Sequence, residues 1–151
     1  MTDYELILKA VDARQRAYTP YSHHKVGAAL ETADGHIILG CNVENAGYTP
    51  TNCAERTAIF KAVSEGYTSF KRIAIVGGME DAQSITVCAP CGVCRQVLRE
   101  FVKPDSFQII LAQVDGVMNP ETIRENDVHI KSFTLEELLP LGFGPENLIF
   151  E

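Results

Sequence analysis

From Tyr4 to Ala17 the apolar residues Ile7, Ala10 and Val11, continued by Tyr18, recur at near-helical spacing with charges between them. That period predicts an amphipathic helix. Thr19-Pro20-Tyr21-Ser22 breaks it. The pattern then changes. Val26 to Glu31 and Ile37 to Cys41 are strand candidates joined by the turn Ala33-Asp34-Gly35, which predicts a hairpin. Asn42 to Asn52 is rich in Asn, Gly, Thr and Pro and reads as a loop. A second helix is predicted from Cys53 to Ser64, ended by Gly66.

The apolar run Arg72 to Gly77 is short enough to be a buried strand. A loop over Met79 to Ile85 follows, and then a helix from Cys91 to Phe101 behind Pro90. Phe107 to Gln113 repeats the buried-strand pattern. Asp115 to Asp127 is polar, and Val128 to Phe133 is a last short strand. Thr134-Leu135-Glu136-Glu137 has the form of a capped helix start, and a tail runs from Leu139 to Glu151. Helix, hairpin, then strands alternating with helices predicts one α/β layered domain over residues 1–151, with one mixed sheet. The order of strands in that sheet does not follow from the pattern.

Composition narrows the function. The chain is 46% hydrophobic and 22% charged, enough for a buried core and unlike a disordered chain. No apolar run is long enough to span a bilayer. The start, Met1-Thr2-Asp3-Tyr4-Glu5, lacks the basic and apolar stretches of a secretory signal, so a cytoplasmic location is expected. Thirteen basic residues are scattered among 20 acidic ones, for a net charge of -7. Polynucleotide binding draws on clustered Lys and Arg, so a small neutral substrate fits this chain better than a nucleic-acid polymer.

The five cysteines are Cys41, Cys53, Cys88, Cys91 and Cys94. An odd count without an export signal argues against a disulfide framework. Cys91-x-x-Cys94 opens one predicted helix and Cys53 opens another. Helix N-termini favour thiolate over thiol, and three thiolates converging from two helix starts suit zinc. Alone, Cys-x-x-Cys is equally a redox pair or chance. Joined to Cys53-Ala54-Glu55 it describes three ligands, an open fourth position and a carboxylate able to take a proton from water. The competing arrangement is a closed four-cysteine structural zinc using Cys88. Cys88 precedes Ala89-Pro90, which makes its backbone extended and draws it off the helix. Arg56 and Arg95 each directly follow a ligand region, Cys53-Ala54-Glu55 and Cys91 to Cys94, where a guanidinium can offset the charge of three thiolates.

These segments resemble the small cytidine deaminases within the zinc deaminase superfamily. The matching stretches are Tyr21-Ser22, Val26 to Leu30, Asn42 to Ala46, Cys53 to Ala58, Pro90 to Val97 and Leu138-Leu139-Pro140. They span nearly the whole chain in order. The resemblance implies a three-layer α/β/α sandwich with one mixed five-stranded sheet. It implies one Zn2+ per chain on Cys53, Cys91 and Cys94, with Arg56 bracing the thiolates. It implies hydrolytic deamination of a free nucleoside, cytidine and 2'-deoxycytidine, in pyrimidine salvage. Glu55 would protonate ring N3, take a proton from the attacking water and pass it to the leaving amine. Asn42 and Glu44 would bind the ribose, and the backbone of Ala54 the pyrimidine carbonyl. The family is homotetrameric with shared sites, and Ala46, Tyr48 and Phe143 match the positions reaching a neighbour's site, Phe143 lying against the base.

Two features depart from the family pattern. His24 stands where a Phe usually stacks on the pyrimidine; an imidazole is smaller and titrates near neutral pH. The stretch from Asp115 to Asp127 is longer than the usual loop. Three other functions fit parts of this pattern: deamination of a modified aminopyrimidine nucleoside such as a nucleoside antibiotic, a non-catalytic zinc-stabilised binding domain, and polynucleotide editing.

Overall fold

A computed structural model describes residues 1–148; the last three positions of the expected domain and tail, 149–151, lie outside the described residues. The chain folds in the order α1 (Asp3–Arg14), β1 (His24–Thr32), β2 (Ile37–Cys41), α2 (Ala54–Ser64), β3 (Phe70–Met79), α3 (Gly92–Phe101), β4 (Gln108–Val114), β5 (Val128–Thr134) and α4 (Leu135–Leu138). The strands form one five-stranded sheet ordered β2-β1-β3-β4-β5. Neighbours are antiparallel except β3 and β4, which run parallel with α3 as their crossover. The sheet is therefore mixed, with helices on both faces.

Alternation along the strands splits the core into two layers. Ala28, Leu30, Ile73, Ile75, Ile109 and Leu111 face α2 and α3. Ala29, Ala74, Val76, Ile110 and Ala112 face the other way and pack with Leu6, Ile7, Ala10 and Val11 of α1. Central β3 is buried on both faces from Arg72 to Gly77, which explains why it reads as an unbroken apolar run. Gly40 lets α2 press on β2: a Cβ there would come within 2.6 Å of the Ala58 amide nitrogen. That close approach fixes the helix whose first turn carries Glu55.

Capping accounts for the helix starts. Thr2 and Glu5 form a reciprocal box at α1, and Thr134 with Glu137 does the same at α4. Helix α1 ends three residues earlier than its apolar pattern predicts, because Tyr18 leaves to bridge Val43. Strands β1 and β3 extend past their apolar runs, since the ladder between them continues from His24–Met79 to Thr32–Phe70. The polar stretch Asp115 to Asp127 is not an outlying loop. Met118 inserts into the α1-side core, Ile123 packs against it, and the Tyr4 hydroxyl donates to the Ile123 carbonyl at 3.3 Å. Among the described residues no helix is long and apolar enough to cross a membrane.

Candidate active site

Two helix N-termini on one side of the sheet meet at the sulfurs. Cys53 is the N-cap of α2 and Cys91 the N-cap of α3, with Cys94 in the first turn of α3. Both caps are extended, so each chain enters its helix sideways and turns its sulfur toward the other. The Cys91 sulfur lies 3.2 Å from that of Cys94 and 3.7 Å from that of Cys53. All three fall within 4.8 Å of one another, and they are the group of potential metal ligands found among the described residues. Three sulfurs this close, with positive helix ends behind them, match the donor set that zinc takes with one position left for solvent or substrate.

The electrostatics fit a cation. The Cys53 thiol is pulled down to about 5, first by its hydrogen bond with Cys94 and then, against burial, by Arg56. The Arg56 guanidinium donates to the Cys53 sulfur at 3.2 Å. Cys94 moves the other way, because a proton retained on its sulfur is shared with the Cys53 thiolate. Protein donors alone thus leave the sulfurs competing for charge, and a divalent cation would relieve that competition. Cys88 remains outside the cluster. Burial pushes its thiol up to about 11. A closed four-cysteine site is therefore not what this chain builds.

Arg95 does not serve the sulfurs. It donates to the carbonyls of Pro90 and Leu138, each at 2.7 Å, tying the α3 entry to the end of α4. Its place beside Cys94 is a consequence of sequence adjacency; the helix turns its side chain away from the metal side.

Glu55 sits two residues beyond Cys53, in the first turn of α2, and is only 4% exposed. Burial raises its carboxyl to about 7, where it can both accept and release a proton near neutrality. It shares a cleft of about 240 Å³ with Cys53, Cys91, Ala54, Asn42, Glu44 and His24. Residues from β1, the 42–52 loop, α2 and the segment before α3 thus converge there, although they lie up to 67 positions apart in sequence (24 to 91).

The polar rim is more committed than the sequence implies. Asn42 accepts from the Val26 amide at 2.9 Å and donates to the His24 carbonyl at 2.8 Å, so its amide splices the loop onto β1. One amide hydrogen remains for a ligand. Glu44 accepts from the Tyr21 and Ser22 amides, each at 3.1 Å, and from the Ser22 hydroxyl. The Ser22 hydroxyl in particular holds the Glu44 carboxyl below its ordinary range. Ser22 is the residue that pattern reading passed over. Its signal was present in Tyr21-Ser22, but only the fold shows which carboxylate it meets.

Tyr48 is 72% exposed and meets Tyr21 edge to face, with ring centres 6.1 Å apart. Together they border a second concavity of about 340 Å³ that shares Ser22, Glu44 and Thr51 with the cleft. Ala46 and Phe143 are exposed and do not line the cleft of their own chain. The Phe143 carbonyl accepts from Gln96 on α3 at 2.9 Å, which fixes the backbone and leaves the ring facing outward.

Comparison with known proteins places this geometry in context. Residues 1–109 match the family described as the cytidine and deoxycytidylate deaminase zinc-binding region. The chain is 44% identical over 146 residues to cytidine deaminase of Sporosarcina psychrophila, covering 97% of this chain and 94% of that protein. It is 50% identical over 149 residues to the probable cytidine deaminase of Dictyostelium discoideum, covering 96% and 88%. Among solved structures, cytidine deaminase from Burkholderia pseudomallei superposes with a TM-score of 0.73 at 46% identity, covering 95% of this chain and all of that one.

Proposed function

The chain belongs to the cytidine and deoxycytidylate deaminase family, and from that premise we propose how its own residues carry out the hydrolysis of cytidine to uridine and ammonia. The observation that carries the reading is the convergence of three sulfurs and one buried carboxyl in a single cleft. The protein is a zinc-dependent cytidine deaminase in its chemistry. Cys53, Cys91 and Cys94 hold the ion, and Arg56 braces the thiolates by donating to Cys53. When bound, zinc supplies Lewis acidity that lets water act as a nucleophile near neutral pH.

Glu55 moves the protons. It passes one proton from the attacking water to N3, which makes C4 electrophilic, and later carries the remaining proton of the added hydroxyl to the departing amine. A carboxyl raised to about 7 suits a group that must be base and acid within one turnover. The Ala54 amide holds the C2 carbonyl. Glu44 accepts from a sugar hydroxyl, and Asn42 donates with its remaining amide hydrogen. His24 forms the wall against the base. Water adds to C4, the C4–N bond breaks, and ammonia leaves.

The finer reading is a homotetramer in which Ala46, Tyr48 and Phe143 complete a neighbour's site. The outward-facing Tyr48 and Phe143 rings support it. The chain then works as one catalytic domain over 1–151, in the cytoplasm, on free cytidine and 2'-deoxycytidine in pyrimidine salvage. Its acidity favours a free nucleoside over a polymer.

The test is direct. The purified protein is expected to hold one zinc per chain, to sediment as a tetramer, and to release ammonia from cytidine. A zinc-loaded protein that leaves cytidine intact would overturn the reading.

A further inference from the structure

Helix α3 has two faces with separate tasks. Cys94 and Leu98 are buried on one side, the first among the sulfurs and the second in the core. At about 100° per residue, Gln96 and Arg99 fall on the opposite side, one turn apart, where solvent is expected. Yet the Arg99 side chain is only 12% exposed, because the segment after α4 crosses it. Arg99 grips the Glu146 carboxylate with both terminal nitrogens, Nη2 on Oε1 and Nη1 on Oε2, the latter at 3.3 Å. Such paired donation fixes direction as well as distance. Gly144 leaves room for it: a Cβ there would lie 2.6 Å from the guanidinium carbon.

The grip belongs to a series along α3. Arg95 donates to the Leu138 carbonyl, Gln96 to the Phe143 carbonyl, and Arg99 to Glu146. The chain is therefore held before, at and after Phe143. Between the first two anchors Leu141 has a φ of 54°, a left-handed conformation that a branched side chain disfavours and that persists where the neighbouring chain is fixed. The Phe143 ring is 57% exposed and does not line the cleft of its own chain.

We infer, resting on the role proposed for Phe143, that the Arg99–Glu146 pair positions this ring for the neighbouring protomer's base. The helix that supplies Cys94 to one site thereby sets an aromatic wall of the next. Neither Arg99 nor Glu146 lines the cleft that holds Glu55, so the pair acts on binding and leaves proton transfer alone. A ring in place for part of the time lowers the apparent affinity by that fraction.

The test reads KM and kcat for cytidine in the zinc-loaded protein. Arg99→Met and Glu146→Ala break one pair from its two ends. Each is expected to raise KM about fivefold, with kcat changed by less than about twofold. Phe143→Ala is expected to raise KM about tenfold. Adding Arg99→Met to Phe143→Ala is expected to raise it by less than about twofold more, since nothing is left to position. A merely structural pair would act equally with and without the ring, and that result overturns the inference. It is equally overturned if Arg99→Met and Glu146→Ala leave KM within about twofold while Phe143→Ala raises it. An unaltered KM in Phe143→Ala is a different pattern: it strikes the role proposed for Phe143 itself, and the purpose of the pair with it.

Discussion

Two glutamates of this chain are buried almost equally: Glu31 in β1, 5% exposed, and Glu55 in the first turn of α2, 4% exposed. Their surroundings differ completely. Glu31 faces Arg72 of β3, whose Nε donates to it at 2.6 Å, while the same guanidinium pairs with Asp3 and donates to the Met1 carbonyl. That ion pair ties the sheet to the start of α1. Glu55 has burial as its largest influence, and Arg56, turned toward Cys53, is the weakest of the influences on it. A buried carboxyl with a matched cation holds structure together. A buried carboxyl without one is left with a proton affinity near neutrality, and can do chemistry.

The sharpest way to break this contrast is Glu55→Gln. Turnover is expected to fall by about 10²- to 10⁴-fold, the usual range for a general acid–base group. Zinc per chain should not change, and the urea midpoint should not fall, because the neutral amide removes a charge that burial disfavours. A variant that kept its activity would remove Glu55 from the proton path. On the other side of the comparison, Arg72→Met leaves Glu31 buried and unpaired. The expected loss is about 3–5 kcal/mol in urea unfolding, with kcat of the folded protein unaltered. Adding Glu31→Leu should recover most of that loss, to within about 1.5 kcal/mol of the unaltered chain. If the double variant is no more stable than the single one, the pair is not the reason for the cost.

Two smaller effects sharpen the site's side of the contrast. Arg56→Gln removes the donor to the Cys53 sulfur. Zinc retention against a competing chelator is expected to weaken by about 10- to 100-fold. Ser22→Ala removes the hydroxyl that donates to Glu44 and holds it in place. The KM for cytidine is expected to rise by about fivefold, the worth of one net hydrogen bond, with kcat little changed.

The same contrast shows what pattern reading could reach. Strand β2 and the hairpin turn were legible because alternation and Asp34-Gly35 act locally. So were the helix starts at Cys53 and Cys91, within one residue. The extra residues of β1 and β3 were not, since strand length there is set by the partner strand. The burial of Met118 was hidden inside a polar stretch whose other side chains face solvent. Asn42 read as a ligand residue, whereas much of its hydrogen bonding goes to β1. Arg56 and Arg95 were indistinguishable as neighbours of ligands, and helix geometry sent them in opposite directions. Glu31 drew no attention as a polar residue in an apolar strand, because its partner lies 41 positions away.

By itself the sequence determined the donor types and their local poise: thiols at two helix starts, a carboxyl one step further on, and an acidic chain without a basic track. The donors follow from spacing and backbone conformation over a few residues, and the charge from composition. The tertiary structure alone decided which glutamate is paired and which is not, where Arg56 and Arg95 point, and that His24 and Cys88 share a wall. Those outcomes depend on how α2 and α3 pack on one face of the sheet. Contact across a packed layer depends on distance in space, which spacing along the chain does not encode.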